Sequence, residues 1–227
     1  MADVNPYGVM YNPASILHTV DKYISEGNNP VVVFITLGTN HVYILKETGE
    51  IVDNCMKRPQ KLFEEKELTI EECMQYLKKA IEILKEINTN VKVVVTVSPI
   101  RYAKYGYHKS QLSKATLLLS VDKLTKEEYQ VEYFPAYEIL MDELRDYRFY
   151  NPDMLHPSQQ AVEYIWEIFT ERYLSEEAKL YLREWLPIKS ALNHKPFNPD
   201  SDDYIAFMER TKRMIDSLKS KYKHFIL

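Results

Sequence analysis

Apolar positions along the chain follow two rhythms. VVVFITLG (31–38) and VKVVVTVSP (91–99) are nearly continuous β-branched runs ending in turn residues, the pattern of inner strands in a parallel sheet covered on both faces by helices. VEYFPAYEIL (131–140) is a third strand candidate, which Pro135 shortens or places at an edge. Between the runs the spacing becomes helical. Asn12 and Pro13 fit an N-cap and first helical position, Leu17, Val20 and Ile24 share one face, and Gly27 can stop that helix. Thr69 and Glu72 form a capping-box pattern ahead of Cys73, Met74, Leu77, Ile81, Leu84 and Ile87. The same period returns at Val162, Ile165, Trp166, Phe169 and Tyr173, and again at Ile205, Met208, Ile215, Leu218 and Tyr222. These aromatics read as packing. Pro187 to Asp202, rich in Pro, Asn and Asp, reads as a loop joining a last helix to the rest.

Strands alternating with helices predict one α/β domain with a largely parallel sheet, a main body over about 1–186 and a loop with a C-terminal helix over about 187–227. The 227 residues, 45% hydrophobic and 27% charged, can bury a sizeable core. A net charge of -4 leaves no broad basic field for nucleic acid or an anionic membrane. The longest apolar runs are far short of the roughly 20 residues that span a bilayer. Two cysteines, Cys55 and Cys73, make no disulfide framework, and with no signal peptide at the start they suggest the cytoplasm.

Ligands of open parallel sheets collect beyond the carboxyl ends of the strands. Gly38-Thr39-Asn40 follows the first run, Ser98-Pro99-Ile100-Arg101 follows the second, and Asp153 and His156 stand three apart in NPDMLHPS (151–158) before a helix. If the fold is as read, the three loops share one rim. In a tight turn the carboxylate can fix one ring nitrogen and leave the other to take a proton from a nucleophilic hydroxyl. Asn40 has an amide for an oxyanion, Gly38 lets backbone approach, and Arg101 can meet a carboxylate or phosphate. A second reading stands beside this one, in which Asp153 caps a turn, His156 only precedes a helix, and Gly38-Thr39-Asn40 merely ends a strand. Asp142, Asp146, Asp153 and His156 offer metal-ligand types, but Arg145 and Arg148 interleave with the acids, which favours surface pairs over a metal site. His41, His108 and His194 have no ligand spacing. RYAKYGYHK (101–109) reads as a solvated loop, and tyrosines such as Tyr147 and Tyr150 suit a polar rim that receives sugar rings or are simply half-buried.

Seven ordered blocks carry a resemblance: NPYGVMYNPAS, ITLGTNHVY, VDNCMKRPQ, TVSPIRY, SKATLL, YFPAYEILMDELRDYRFYNPDMLHPS and NHKPFNP, between Asn5 and Asn198. Together they resemble the GSCFA family, a bacterial group similar to the SGNH hydrolases. The resemblance implies a flavodoxin-like, three-layer α/β/α fold and ester hydrolysis by a serine with an Asp-x-x-His pair. It makes His156 the general base, Asp153 its orienting carboxylate, Gly38 and Asn40 a Gly-x-Asn oxyanion element, and Gly8 a contributor to the same hole.

The Gly-Ser-Cys-Phe-Ala stretch that names the family does not occur in this sequence. The resemblance places it, with the nucleophilic serine and a neighbouring strand, ahead of the segment with which this chain opens. Ser98 is followed by Pro99, which removes the N–H of a nucleophile elbow, and Ser15 falls in a first helical turn, so neither replaces it. Two functions follow as expectations. One is a hydrolase of an O-acyl ester on a carbohydrate or other small polar molecule, needing no metal or organic cofactor and without its nucleophile in this chain. The other is a non-catalytic binding or scaffold protein built on the same fold. A sheet short of a strand exposes an edge that a second copy would cover, so a homodimer is also expected.

Overall fold

The structure is a computed structural model and describes residues 12–27, 29–52, 58–128, 130–198 and 200–222. Gly8 and Cys55 lie outside the described residues. The chain divides into two compact units, between Ile165 and Trp166.

The first unit opens with α1 (Pro13–Ser25), where Asn12 Oδ1 accepts from Ser15 N at 2.9 Å, as the Asn-Pro pair predicts. Gly27 follows with φ +85° and its N–H donates to Ile24 O, closing the helix where the sequence said it would stop. β1 (Val32–Leu37), β5 (Lys92–Val97) and β6 (Val131–Phe134) make a parallel three-stranded sheet in the order β1-β5-β6. Its register pairs Leu37 with Val97 and Thr96 with Phe134, so the carboxyl ends of the strands come out together.

β5 is the inner strand, and Val93, Val94, Val95 and Val97 are all buried, as a strand covered on two faces must be. The same reading fails for β1. Among the described residues β1 is an edge, and its Val32 and Phe34 are 42% and 40% exposed while Ile35 and Leu37 face the core. β6 is the short edge strand that Pro135 predicts. The chain beyond it is helical instead of extended: α4 (Ala136–Glu138) runs into a π-helical stretch, Ile139–Leu144, that ends at Arg145 in the left-handed region (φ 52°).

A second sheet lies outside the apolar pattern of the sequence. β2 (His41–Leu45), β3 (Ile51–Val52) and β4 (Phe63–Glu67) pair antiparallel in the order β3-β2-β4. The signal in FEEKE was weak because only Phe63 of β4 is buried. α2 (Ile70–Ile87) begins with the predicted capping box, Thr69 N donating to Glu72 Oε2 and Glu72 N to Thr69 Oγ1, an arrangement that stabilises a helix start by about 1 kcal/mol. Its Cys73, Leu77, Ala80, Ile81 and Leu84 join Leu37, Val93, Val95 and Val97 in one core.

α3 (Tyr107–Glu127) takes up the last three residues of the segment read as a solvated loop. Its buried face carries Ser110, Ser113, Lys114 and Ser120 among Leu117, Val121 and Leu124, so it has little apolar contrast in sequence. α5 (Gln159–Tyr173) leads out of this unit, and Val162 and Trp166 on its predicted stripe stay about half exposed.

In the second unit, Trp166, Phe169 and Tyr173 pack ring on ring along α5 at 5.4 and 5.1 Å. α6 (Glu176–Leu192) pairs with α7 (Asp202–Lys221), and Tyr181, Ile188, Leu218 and Tyr222 form their core. α6 continues through Pro187, so the connecting loop is shorter than predicted and begins after Leu192. Pro187 lacks the N–H of one helical bond, and Ile188 beside it is buried in the core of this unit. Among the described residues no helix is long and apolar enough to cross a membrane.

Candidate functional site at the carboxyl ends of the strands

The turn Asn151 to Ser158 is closed by its own backbone. Asn151 N donates to His156 O at 2.8 Å, Met154 N to Asn151 O at 2.8 Å, and Ser158 N to Phe149 O at 2.7 Å. Within it Asp153 does three things. Oδ1 accepts from Leu155 N at 2.8 Å and His156 N at 3.0 Å, and Oδ2 meets His156 Nδ1 at 2.6 Å. Those two amides, with the imidazole between them, hold the Asp153 carboxyl at about 2, below its ordinary value. The two side chains are 43% and 56% exposed, so Nδ1 is engaged while the ring stays open to solvent. Met154 adopts φ 59°, a left-handed conformation that costs a residue with a Cβ about 1–2 kcal/mol.

Arg101 joins this turn to the end of β5. Its backbone N–H donates to Leu155 O at 3.0 Å and its Nη1 to Met154 O at 2.9 Å. The guanidinium lies 4.2 Å from the centre of the Tyr107 ring, 5.4 Å from Tyr150 and 5.9 Å from Tyr147, cation–π distances. Tyr150 in turn donates to Pro99 O at 3.3 Å.

The Gly38 loop is tied to the same strand ends by a buried lysine of α3. Lys114, 2% exposed, donates from α3 to Gly38 O and, at 2.7 Å, to Ser98 O. Burial pulls its ammonium down to about 7. A lysine in register with Leu117, Val121 and Leu124 on a helix was the available signal. Gly38 has no room for a side chain, because a Cβ there would stand 2.7 Å from the Tyr102 hydroxyl. Asn40 is buried, its N–H donating to Ser113 Oγ at 2.9 Å and its Nδ2 to Leu68 O at 2.8 Å. Thr39 Oγ1 lies 3.0 Å from His41 Nδ1 and 3.3 Å from Ser113 Oγ. His41 Nε2 stands 3.4 Å from Glu67 Oε1, an ion-pair distance without hydrogen-bond geometry. Burial lowers the His41 pKa despite Glu67, and the ring stacks on Tyr105 at 3.7 Å.

The three predicted loops are therefore linked, Gly38 to Ser98 through Lys114 and Arg101 to the Asp153 turn directly. Ser98 Oγ accepts from Ile100 N at 3.3 Å, and Ser158 Oγ accepts from Ala161 N at 3.3 Å. Among the described residues no hydroxyl is bonded to His156.

An α/β chain with an acid-imidazole turn beside the ends of its parallel strands is the class that these observations define. Residues 28–169 match the GSCFA family and residues 185–226 match the GSCFA domain protein, C-terminal domain. The chain belongs to the GSCFA family. Among solved structures it is similar to a Clostridium thermocellum family 3 carbohydrate esterase, at 18% identity and a TM-score of 0.41, over 71% of this chain. The chain spans 64% of that esterase's length. A search of the curated proteins finds no match.

Proposed function

We propose that this chain carries the base half of an SGNH-like ester hydrolase acting on an O-acyl ester of a carbohydrate or other small polar molecule. The observation that supports the reading is the Asp153–His156 bond through Nδ1 on an exposed ring. That bond leaves Nε2 as the nitrogen that can accept a proton, the arrangement a general base needs. The nucleophile would be the serine of a Gly-Ser-Cys-Phe-Ala stretch, which is not among these 227 residues. Its Oγ attacks the acyl carbon while His156 Nε2 takes the hydroxyl proton, and the imidazolium returns that proton to the departing alkoxide. Water then repeats the sequence on the acyl-enzyme.

The oxyanion would be met on the Gly38–Asn40 side, with Gly8. There Asn40 is itself 4% exposed, with its backbone N–H given to Ser113 and its Nδ2 to Leu68, so the loop would have to open before that amide could meet an oxyanion. Exposed Tyr107 and Tyr147 beside Arg101 suit the face and hydroxyls of a sugar ring. The second reading, a non-catalytic binding or scaffold protein, draws on Ser98 and Ser158 being engaged locally.

One experiment separates them. The family's Gly-Ser-Cys-Phe-Ala stretch is joined ahead of this chain, and labelling by a serine-reactive fluorophosphonate and release of acetate from acetylated sugars are measured. Labelling and turnover that depend on His156 support the hydrolase. Neither signal across a panel of acyl esters favours the scaffold.

A further inference from the structure

The two peptide units that link Met154 to His156 have their polar groups sorted by direction. The N–H groups of Leu155 and His156 point to Asp153, and the C=O groups of Met154 and Leu155 point to Arg101. A carboxylate alone can gather amides in many turn shapes. Holding the opposite edge of the same peptides fixes their planes, and with them the direction in which the His156 Cβ leaves the backbone.

We infer that Arg101 is a positioning residue of the site: its guanidinium and backbone N–H clamp the Met154 and Leu155 carbonyls and so set the imidazole of His156 against Asp153. This deepens the proposed function and rests on its reading of His156 as the base. It also gives Arg101 a task beyond binding a substrate anion, which the remaining guanidinium N–H donors leave open. Two more features fit a clamp. Met154 is held at φ 59°, which a non-glycine residue keeps only when its surroundings impose it. The guanidinium lies among the rings of Tyr107, Tyr147 and Tyr150, which limit its rotamers.

The test reads the Nδ1–H proton of His156 by nuclear magnetic resonance in the chain as it stands. Asp153→Asn provides the reference for a lost partner. Arg101→Met keeps the backbone bond to Leu155, fills the space between the tyrosines and removes the fork. The clamp predicts that this proton exchanges with water at least about tenfold faster in Arg101→Met, with partial recovery in Arg101→Lys, whose ammonium can reach one carbonyl. Exchange unchanged in Arg101→Met while Asp153→Asn abolishes the signal would overturn it. Should Arg101→Met fail to fold, Arg101→Lys decides alone: faster exchange supports the clamp and unchanged exchange defeats it. Ester turnover has no part in this readout. The clamp can therefore fail while His156 remains the base, and the base can fail on turnover while the clamp stands.

Discussion

His41 and His156 each have a carboxylate within reach, yet they sit in opposite surroundings. His41 lies between Thr39 and Glu67, a hydroxyl on one ring nitrogen and an acid near the other, the very inventory of a hydrolytic triad. It is 4% exposed and covered by Tyr105, and Thr39 is 2% exposed, so no acyl group can reach the hydroxyl. His156 has only Asp153, but its ring opens to solvent. Proximity of residue types is thus the cheaper half of a site. Access decides which imidazole is available for chemistry and which one is sealed into the polar network under Tyr105.

Exchanging the two histidines is the widest separation of these roles. In a polypeptide that carries the family's serine stretch, His156→Ala is expected to lower kcat/KM on acyl esters by about 10²–10⁴-fold, with the melting temperature almost unmoved. His41→Ala should do the reverse, costing about 2–3 kcal/mol of stability in urea unfolding while leaving the chemistry of the remaining folded protein intact. Equal activity losses from both would erase the distinction.

The polar network around His41 gives the next effect. Ser113→Ala leaves the Asn40 N–H and the Thr39 hydroxyl short of a partner, and a loss of about 1–3 kcal/mol in denaturant unfolding is expected. Asp153→Asn, at an exposed turn, should leave that midpoint almost unchanged.

Gly38→Ala probes the loop that Lys114 ties down. The new Cβ meets the Tyr102 hydroxyl, so a loss of about 1–2 kcal/mol is expected, with recovery in the Gly38→Ala, Tyr102→Phe pair. Equal losses in the single and double variants would place the strain in the backbone.

The last comparison is in pH. Lys114 titrates near 7 in the fold against an ordinary 10.5. The unfolded chain therefore binds the extra proton between about 7 and 10.5, and this group makes stability rise with pH across that window. The His41 pKa is also depressed by burial, so its contribution is complete above its ordinary 6.5 and is lost as pH falls through the lower folded value. Lys114→Met should flatten the alkaline rise in melting temperature, and His41→Asn the acid fall. An unchanged profile in either variant would remove that group from the account.

How much of this was legible in sequence depended on whether local pattern and burial agreed. The β5 run, the Asn12 cap, the Thr69–Glu72 box and the order of the three loops could be read because each needs only its own neighbours. α3 could not, because Lys114 and Ser113 interrupt its buried face, and the partners that justify them, Gly38, Ser98 and Asn40, are far away in sequence. β4 was hidden for the opposite reason, a strand almost wholly exposed. Arg101 was singled out by its place after a strand, but its partners belong to a turn some fifty residues on, and no spacing rule connects them.

The central claim is that Asp153 fixes the tautomer of an accessible His156. The direct measurement is the pair of ring-nitrogen resonances of His156 with the ring neutral, assigned by comparison with His156→Gln. The account predicts the proton on Nδ1 with Nε2 bare, and loss of that preference in Asp153→Asn. A neutral ring carrying its proton on Nε2 would contradict it.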